Sequence, residues 1–512
     1  MSSESVAPSR LLPRWLRSLV RREGAWQAAA LPACLVLGLV VFAHGLGASS
    51  LFVDEAASWH AAVGSLGDVF TRVRMDEVAP STYYVLLHEW IYRFHATSEA
   101  WMRLPSMLAG VALVGAVYWL AYLVSGRAAA ALAALMAALD PAILNYAQQV
   151  RAYIFAMLAV TAAVAAVLAA EKAVAPRRAR WFSLALAAAV LAYSLHYTAG
   201  LVLLPLTVYV LCAGALSRRL RIIWTAVLSL TALAWLPLLL AQLGAGHSGW
   251  LGTTERHWGA DLGQTFGAAL AGRAPETPTR LLTGAAIVCA GVGIAVLSSP
   301  GVRTRLLAAC ALAPPAALLV VTICGQPALL ARYAAVGVPF VIVALAVAVV
   351  GLCGRRFASV RGSWAAALLV LASLGLEGLG LHASYETIGH YADMRAVLSD
   401  VRASIRPGDV VVGVGDDAIL FSMDYYARRL LAPGTPVMLA SDHRAQAAVR
   451  AKRTIWTVTP PLSTRQLAAA LAPEHYVAVA TRTFPAMQTL ELVEAKPFVN
   501  RTSRAAPDGR AH

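Results

Sequence analysis

The stretch WQAAALPACLVLGLVVFAHGLGASSLFVDEAASW, residues 26–59, joins two features that are costly to place side by side. Its first part, 26–46, carries no Asp, Glu, Lys or Arg. It is long enough to cross a bilayer, since about 20 apolar residues span the hydrocarbon. The acidic pair Asp54-Glu55 follows where that apolar run ends. Carboxylates at a membrane boundary cost solvation energy unless they are paired or used. The stretch predicts a membrane-spanning chain and marks the first place to look for chemistry.

Composition extends that reading to the whole chain. Of 512 residues, 59% are hydrophobic and 13% charged, and the mean hydropathy is +0.65. A soluble domain carries about a quarter charged residues, so most of this chain belongs in lipid. The net charge of +15 is spread in short Lys/Arg clusters between apolar runs. That is a topology signal rather than a binding face, and it excludes nucleic acid as a partner. The six cysteines lie in or at the ends of apolar runs without a C-x-x-C pair, and read as small buried hydrophobes. Basic residues from Arg10 to Arg22 precede the first run, which reads as an uncleaved span.

Apolar windows place spans at 26–46, 101–124, 127–144, 152–171, 181–197, 198–215, 222–242, 279–299, 304–324, 333–353 and 362–382. Thr82–Phe94 is shorter and amphipathic, and reads as an interfacial helix. With a cytoplasmic N-terminus, the basic clusters at Arg127, Lys172–Arg180, Arg218–Arg221, Arg303-Arg305 and Arg355–Arg361 all fall inside. Counting Thr82–Phe94 as a span would invert every later loop, so about eleven spans is the preferred count. The expected organisation is a cytoplasmic segment 1–25 and a transmembrane domain 26–382 whose external loop 47–100 is catalytic. An extracytoplasmic α/β domain 383–500 and a disordered tail 501–512 follow. In the α/β domain, helices are expected at 391–405, 418–429 and 463–471, and strands at 409–414, 436–439, 454–458 and 476–481.

This topology gathers the expensive polar residues on one external face. Asp54-Glu55 offers a general base for an acceptor hydroxyl, although one carboxylate could simply cap a short helix 55–63. Asp76-Glu77, with Tyr83 close behind, forms a second acidic site in the same loop. Gln148, Gln149, Arg151 and Tyr153 lie together at an external helix end, and His196-Tyr197 and Arg332-Tyr333 at two others. Three cation-plus-tyrosine pairs on one face suit a phosphate anion whose tail lies in lipid. No His or Cys completes a metal set at a diagnostic spacing; a carboxylate-bound divalent cation is a possible addition. Glu377 lies inside the last span, paired or facing a cavity. Gly413–Asp417 has a weak likeness to a phosphate loop.

At Val53-Asp54-Glu55-Ala56-Ala57-Ser58-Trp59, then Tyr83–His88 and Arg103-Leu104-Pro105-Ser106, the chain resembles the first external loop of GT-C glycosyltransferases. That class includes protein O-mannosyltransferases and the lipid A aminoarabinose transferase. Leu139–Tyr153 resembles its S-P…Y-S-Q-E-x-R-x-Y element, and Arg332-Tyr333 its R-Y element. The chain departs from the pattern where the usual D-x-H-P-P-L-Y-Y reads Glu77-Val78-Ala79-Pro80-Ser81-Thr82-Tyr83-Tyr84, and where Gln149 replaces a Glu. The resemblance implies a GT-C fold and inverting sugar transfer from a polyprenyl-phosphate donor to an envelope glycan, lipid or protein on the outer face. It implies Asp54 as general base with Glu55 in support. Arg151 and Arg332, assisted by His196, would neutralise the leaving phosphate, and Glu55 and Glu77 would orient sugar hydroxyls or the acceptor. A transporter or lipid flippase is the alternative, but it predicts an internal repeat with polar groups near the midplane, and no repeat is visible.

Overall fold

The protein is described here by a computed structural model. The described residues are 14–212, 215–244, 267, 284–285, 301–325, 328–353, 356–357, 360–386, 393–413, 417–439, 454–459, 476–484 and 490–497. The chain divides into two compact units. One comprises Met1–Leu46 with Gly64–Glu386, the other Gly47–Val63 with Thr387–His512. The expected loop 47–100 is therefore divided between them.

The larger unit is helical. Among the described residues, six helices are long and apolar enough to cross a membrane, or seven if one bent pair counts as a single span. They include α5 (Glu99–Ser125), α8 (Tyr153–Lys172) and α11 (Arg218–Gly244), with Val302–Ile323, Ala331–Cys353 and Ala366–Tyr385 later in the chain. The first helix, α1 (Arg14–Ala43), contributes the shorter apolar stretch Ala29–Ala43. Most of the expected window 279–299 lies outside the described residues, as does the Gly413–Asp417 loop apart from its two ends. Within the larger unit, α3 (Leu66–Asp76) and α4 (Thr82–Phe94) are short helices that precede α5. The bounds of α4 are those read from the sequence. The helix α3 was not expected.

Helix α8 forms the core of this unit. It packs on α5 and on α9 (Ala175–Leu195), and its Ala156, Ala163, Ala165, Ala166 and Ala170 are fully covered. Lipid offers no hydrophobic drive between helices, so close packing needs small side chains that let backbones approach. Gly110 of α5 shows how tight that approach becomes. A Cβ there would lie 2.8 Å from the Ala147 Cβ and 3.2 Å from the Phe42 ring.

The expected single span 127–144 is broken. Helix α6 (Arg127–Leu139) ends at Asp140, and α7 (Pro141–Ala147) leaves at 57°. The cause is local. The proline ring disfavours the helical conformation at the residue before it, so Asp140 is extended, and its carboxylate accepts the Ile143 N–H at 2.8 Å as an N-cap. His196 is likewise extended and separates α9 from α10 (Gly200–Cys212). Leu330, also extended, precedes Arg332. Of the cysteines, Cys34 and Cys310 are buried as expected, whereas Cys212, Cys324 and Cys353 are exposed side chains.

The smaller unit holds a five-stranded mixed sheet. Two tiny strands outside it come first, β1 (Arg356–Phe357) and β2 (Val360–Arg361), so the sheet strands are β3 (Val410–Gly413), β4 (Val437–Leu439), β5 (Ile455–Thr459), β6 (Tyr476–Phe484) and β7 (Leu490–Pro497). The order is β4-β3-β5-β7-β6, parallel through β4, β3 and β5 and antiparallel at β7 and β6. Val410, Val412, Ile455 and Ala495 close its core. The sequence reading contained β3 to β6 and the helices Met394–Ser404 and Asp417–Leu430, but not β7. The helix expected at 463–471 lies outside the described residues. Gly47–Val63 is built into this unit. Leu51 N–H donates to the Tyr426 hydroxyl at 2.7 Å, Ser50 donates to Asp393 at 2.7 Å, and Trp59 meets Tyr425 edge to face at 5.1 Å.

Replacing Gly110 with Val should force apart α1, α5 and α7. The expected cost is about 1–3 kcal/mol, read as a lowered thermal unfolding midpoint of the purified protein in detergent. A midpoint equal to wild type would show that this contact can relax.

Candidate active site

Three predicted site positions occur where helices end rather than along them. Gln148–Ala152 separates α7 from α8, His196 separates α9 from α10, and Arg332 follows the extended Leu330. Backbone outside regular helix is tolerated at membrane depth only where protein buries it or a cavity receives it. Helix ends are therefore where polar side chains can be offered inward.

The centre of the larger unit's polar cluster is an ion pair. Arg151 Nη1 donates to Glu77 Oε1 at 3.3 Å, with the two side chains only 16% and 10% exposed. Glu77 follows the last residue of α3, Asp76, whose own side chain is exposed. Tyr84, in the first turn of α4, hydrogen-bonds the same Glu77 carboxylate. Burial, and then the Glu77 charge, hold the Tyr84 phenol well above its ordinary pKa. It stays protonated and remains a donor. Tyr84 was quoted in the sequence reading only as part of a string; its neighbour Tyr83 was the named candidate. Tyr83 instead packs on Tyr84 at 5.4 Å and Phe155 at 5.8 Å.

The aromatic wall continues from there. The Arg151 guanidinium lies 5.9 Å from the Tyr153 ring centre, and Tyr153 meets His196 at 4.9 Å and Tyr146 at 5.3 Å. His196 Nδ1 accepts the Thr198 N–H at 3.3 Å, which turns Nε2 away from that backbone. The charges of both Arg151 and Arg332 bear on His196. Arg332 also sits over the Tyr333 ring at 5.4 Å. Thus Glu77, Arg151, Tyr153 and His196 form one connected set, and Arg332 acts on it through its charge at His196.

Other candidates are engaged elsewhere. Gln148 Nε2 donates to the Phe42 and His44 carbonyls at 3.0 and 2.7 Å, while Arg103 Nη1 donates to Leu46 at 3.0 Å and Tyr385 to Val41 at 2.8 Å. Together they satisfy carbonyls at the end of α1 that would otherwise lack partners. Gln149 donates to Asn145 at 2.9 Å, and the Tyr197 hydroxyl to Gln242 at 3.2 Å. Glu377 is fully buried, and neither carboxylate oxygen has a hydrogen-bond partner among the described residues; of the two expectations, pairing and a cavity, the pairing is not seen there.

Asp54 and Glu55 belong to the smaller unit, on α2 (Val53–Ala62). Glu55 is buried and its Oε2 accepts the Phe52 N–H at 2.9 Å. This is the reciprocal arm of a capping box, in which an acid three residues into the helix secures the N-terminal backbone. The helix-capping use weighed for this pair thus falls to Glu55, while Asp54 is half-buried. No three His, Cys, Asp or Glu side chains converge into a metal site among the described residues.

A family model described as dolichyl-phosphate-mannose-protein mannosyltransferase matches residues 84–240. That segment contains Arg151, Tyr153 and His196 and begins after both acidic sites. No curated protein matches the chain by sequence. Among solved structures, ArnT from Cupriavidus metallidurans bound to undecaprenyl phosphate aligns at 16% identity over 93% of this chain and 98% of its own, with a TM-score of 0.54. The chain shares the fold of this structure. The oligosaccharyltransferase of Archaeoglobus fulgidus in its apo form aligns at 12% identity over 94% of this chain and 75% of its own, with a TM-score of 0.55. Its complex with an inhibitory peptide and a dolichol-phosphate aligns at 12% identity over 95% and 75%, with a TM-score of 0.50. The resemblance read from the sequence motifs is thus joined by a likeness of fold to these structures.

The Glu77–Arg151 pair is open to a direct test. Glu77→Gln or Arg151→Gln alone should lower stability by about 2 kcal/mol or more, because each leaves a mostly buried charge uncompensated. The double substitution should cost less than the two singles added. Chemical unfolding of the purified variants checks this, and strict additivity would mean the pair is not coupled.

Proposed function

We propose that this protein is a membrane glycosyltransferase that moves a sugar from a polyprenyl-phosphate donor to an envelope glycan, lipid or protein on the external face. The observation that carries the reading is the set of contacts joining Glu77, Arg151, Tyr153 and His196 at helix ends, with the Arg332 charge also bearing on His196. Two guanidiniums whose charges both bear on His196 are suited to a phosphate whose prenyl tail lies between helices. The GT-C-fold structures reported with undecaprenyl phosphate and with dolichol-phosphate support the same donor class.

The proposed reaction is a single displacement with inversion. Asp54 takes the proton of the acceptor hydroxyl, and that oxygen attacks the anomeric carbon. The bond from that carbon to the phosphate oxygen breaks, and the electron pair leaves with the phosphate. Arg151 and Arg332, with His196, stabilise the charge that develops there. Glu77, Asp76 and Tyr83 are assigned to sugar or acceptor orientation, with Gln149, Tyr197 and Tyr333 around them. Glu55 supports Asp54 by holding its helix start. The membrane arrangement proposed with this reading has eleven spans, a cytoplasmic N-terminus and the 383–500 region outside.

The test is transfer by the purified full-length protein from a panel of radiolabelled undecaprenyl-phosphate sugars, covering hexoses and pentoses, to envelope extracts. Wild type should transfer at least one sugar, and Asp54→Asn should lose about 100-fold or more, the usual scale for removing a general base. Equal transfer by both would remove Asp54 from that role. No transfer from any donor would favour a transporter. For topology, a cysteine introduced at Ser399 should react with an impermeant thiol reagent in intact cells; protection would reverse the orientation.

A further inference from the structure

Helix α11 is exposed or half-buried over nearly all its length. Of its described side chains only Trp224 and Gln242 are buried, and Gln242 is completely covered. A fully buried amide on an apolar helix is costly unless every polar atom is matched. Here the match is complete. Nε2 donates one hydrogen to the Val73 carbonyl at 2.9 Å and the other to the Ala79 carbonyl at 2.8 Å, while Oε1 accepts from the Tyr197 hydroxyl at 3.2 Å.

Those two carbonyls bracket Glu77. Val73 lies in the last turns of α3 and Ala79 lies between α3 and α4. The Gln242 amide thus ties the backbone on both sides of the carboxylate that meets Arg151 and Tyr84. Its carbonyl end reaches Tyr197, the residue after His196, so the same side chain links the Glu77 turn to the break between α9 and α10. An acidic side chain on an irregular turn has no geometry of its own; it takes the geometry of whatever holds the turn.

We propose that Gln242 is the positioning residue for Glu77, holding the carboxylate in register with Arg151 for the transfer reaction. The proposal rests on the glycosyltransferase reading above. Gln242 touches neither the donor nor the acceptor in this assignment. It acts through the turn, and the two donors of its amide are what the role requires. Methionine would match its length and volume but supply no hydrogen bond. Glutamate would match its shape but set a carboxylate against two carbonyl oxygens.

The test has two readouts on the full-length protein in detergent. The first needs no substrate: the rate at which a water-soluble carbodiimide and an amine label Glu77, followed by mass spectrometry of the peptide. Gln242→Met and Gln242→Glu should both raise that rate severalfold over wild type, while thermal unfolding confirms that each variant is folded. The second is transfer from whichever panel donor the wild type uses. Both variants should lower kcat by about 100-fold, the scale of an ångström-level misplacement, with KM for the donor within about twofold. Wild-type labelling together with wild-type kcat in a folded Gln242→Met would overturn the proposal. Full transfer by Glu77→Gln would instead overturn the underlying site reading, so the two failures are distinguishable. If one variant does not fold, the other decides.

Discussion

The pairing of Arg151 with Glu77 is the interaction on which the polar interior of the helical unit depends. Each partner is mostly covered, and a covered charge without its counterpart is among the more destabilising features a protein can contain. The pair joins distant parts of the chain, the end of α3 and the gap before α8. Around it the remaining polar groups have defined uses. Tyr84 donates to the carboxylate, Tyr153 lies under the guanidinium, and the His196 ring packs tilted against Tyr153. Gln242 keeps the turn that presents the acid.

Helix ends explain why the cluster can exist in a largely apolar body. A continuous helix consumes its own backbone groups and leaves only side chains to offer. Each break instead releases backbone groups that must be satisfied, and the chain satisfies them with side chains nearby. Asp140 caps α7, Gln148 and Arg103 cover the end of α1, and His196 receives the Thr198 N–H. Gln148 steadies one of these breaks, and Arg151, three residues on, makes the ion pair proposed for chemistry.

Much of this was legible in the sequence because it follows from local chemistry. Apolar runs announce helices whatever surrounds them, so α4, α5, α8 and α11 fall within a few residues of their expected bounds. Asp140-Pro141 was also readable as a break, since proline's effect on its neighbour is local, yet the hydropathy of 127–144 conceals it. The acidic and basic candidates were visible because ionisable residues are rare in this composition. What hydropathy could not separate was use. Gln148 and Arg151 share one string, and Gln242 is a single polar residue near the end of an apolar run.

The sequence by itself determined the polytopic helical class, the alternation of strand and helix after 393, and the short set of residues from which a site could be made. These are properties of composition, period and local backbone chemistry. Only the tertiary structure decided that Glu77 pairs with Arg151, that Tyr84 and Gln242 attend it, and that Gly47–Val63, with Asp54 and Glu55, is built into the unit of the C-terminal sheet. Those outcomes depend on contacts across large sequence separations. No local propensity encodes them, because which buried donor meets which buried acceptor is fixed only when the helices pack.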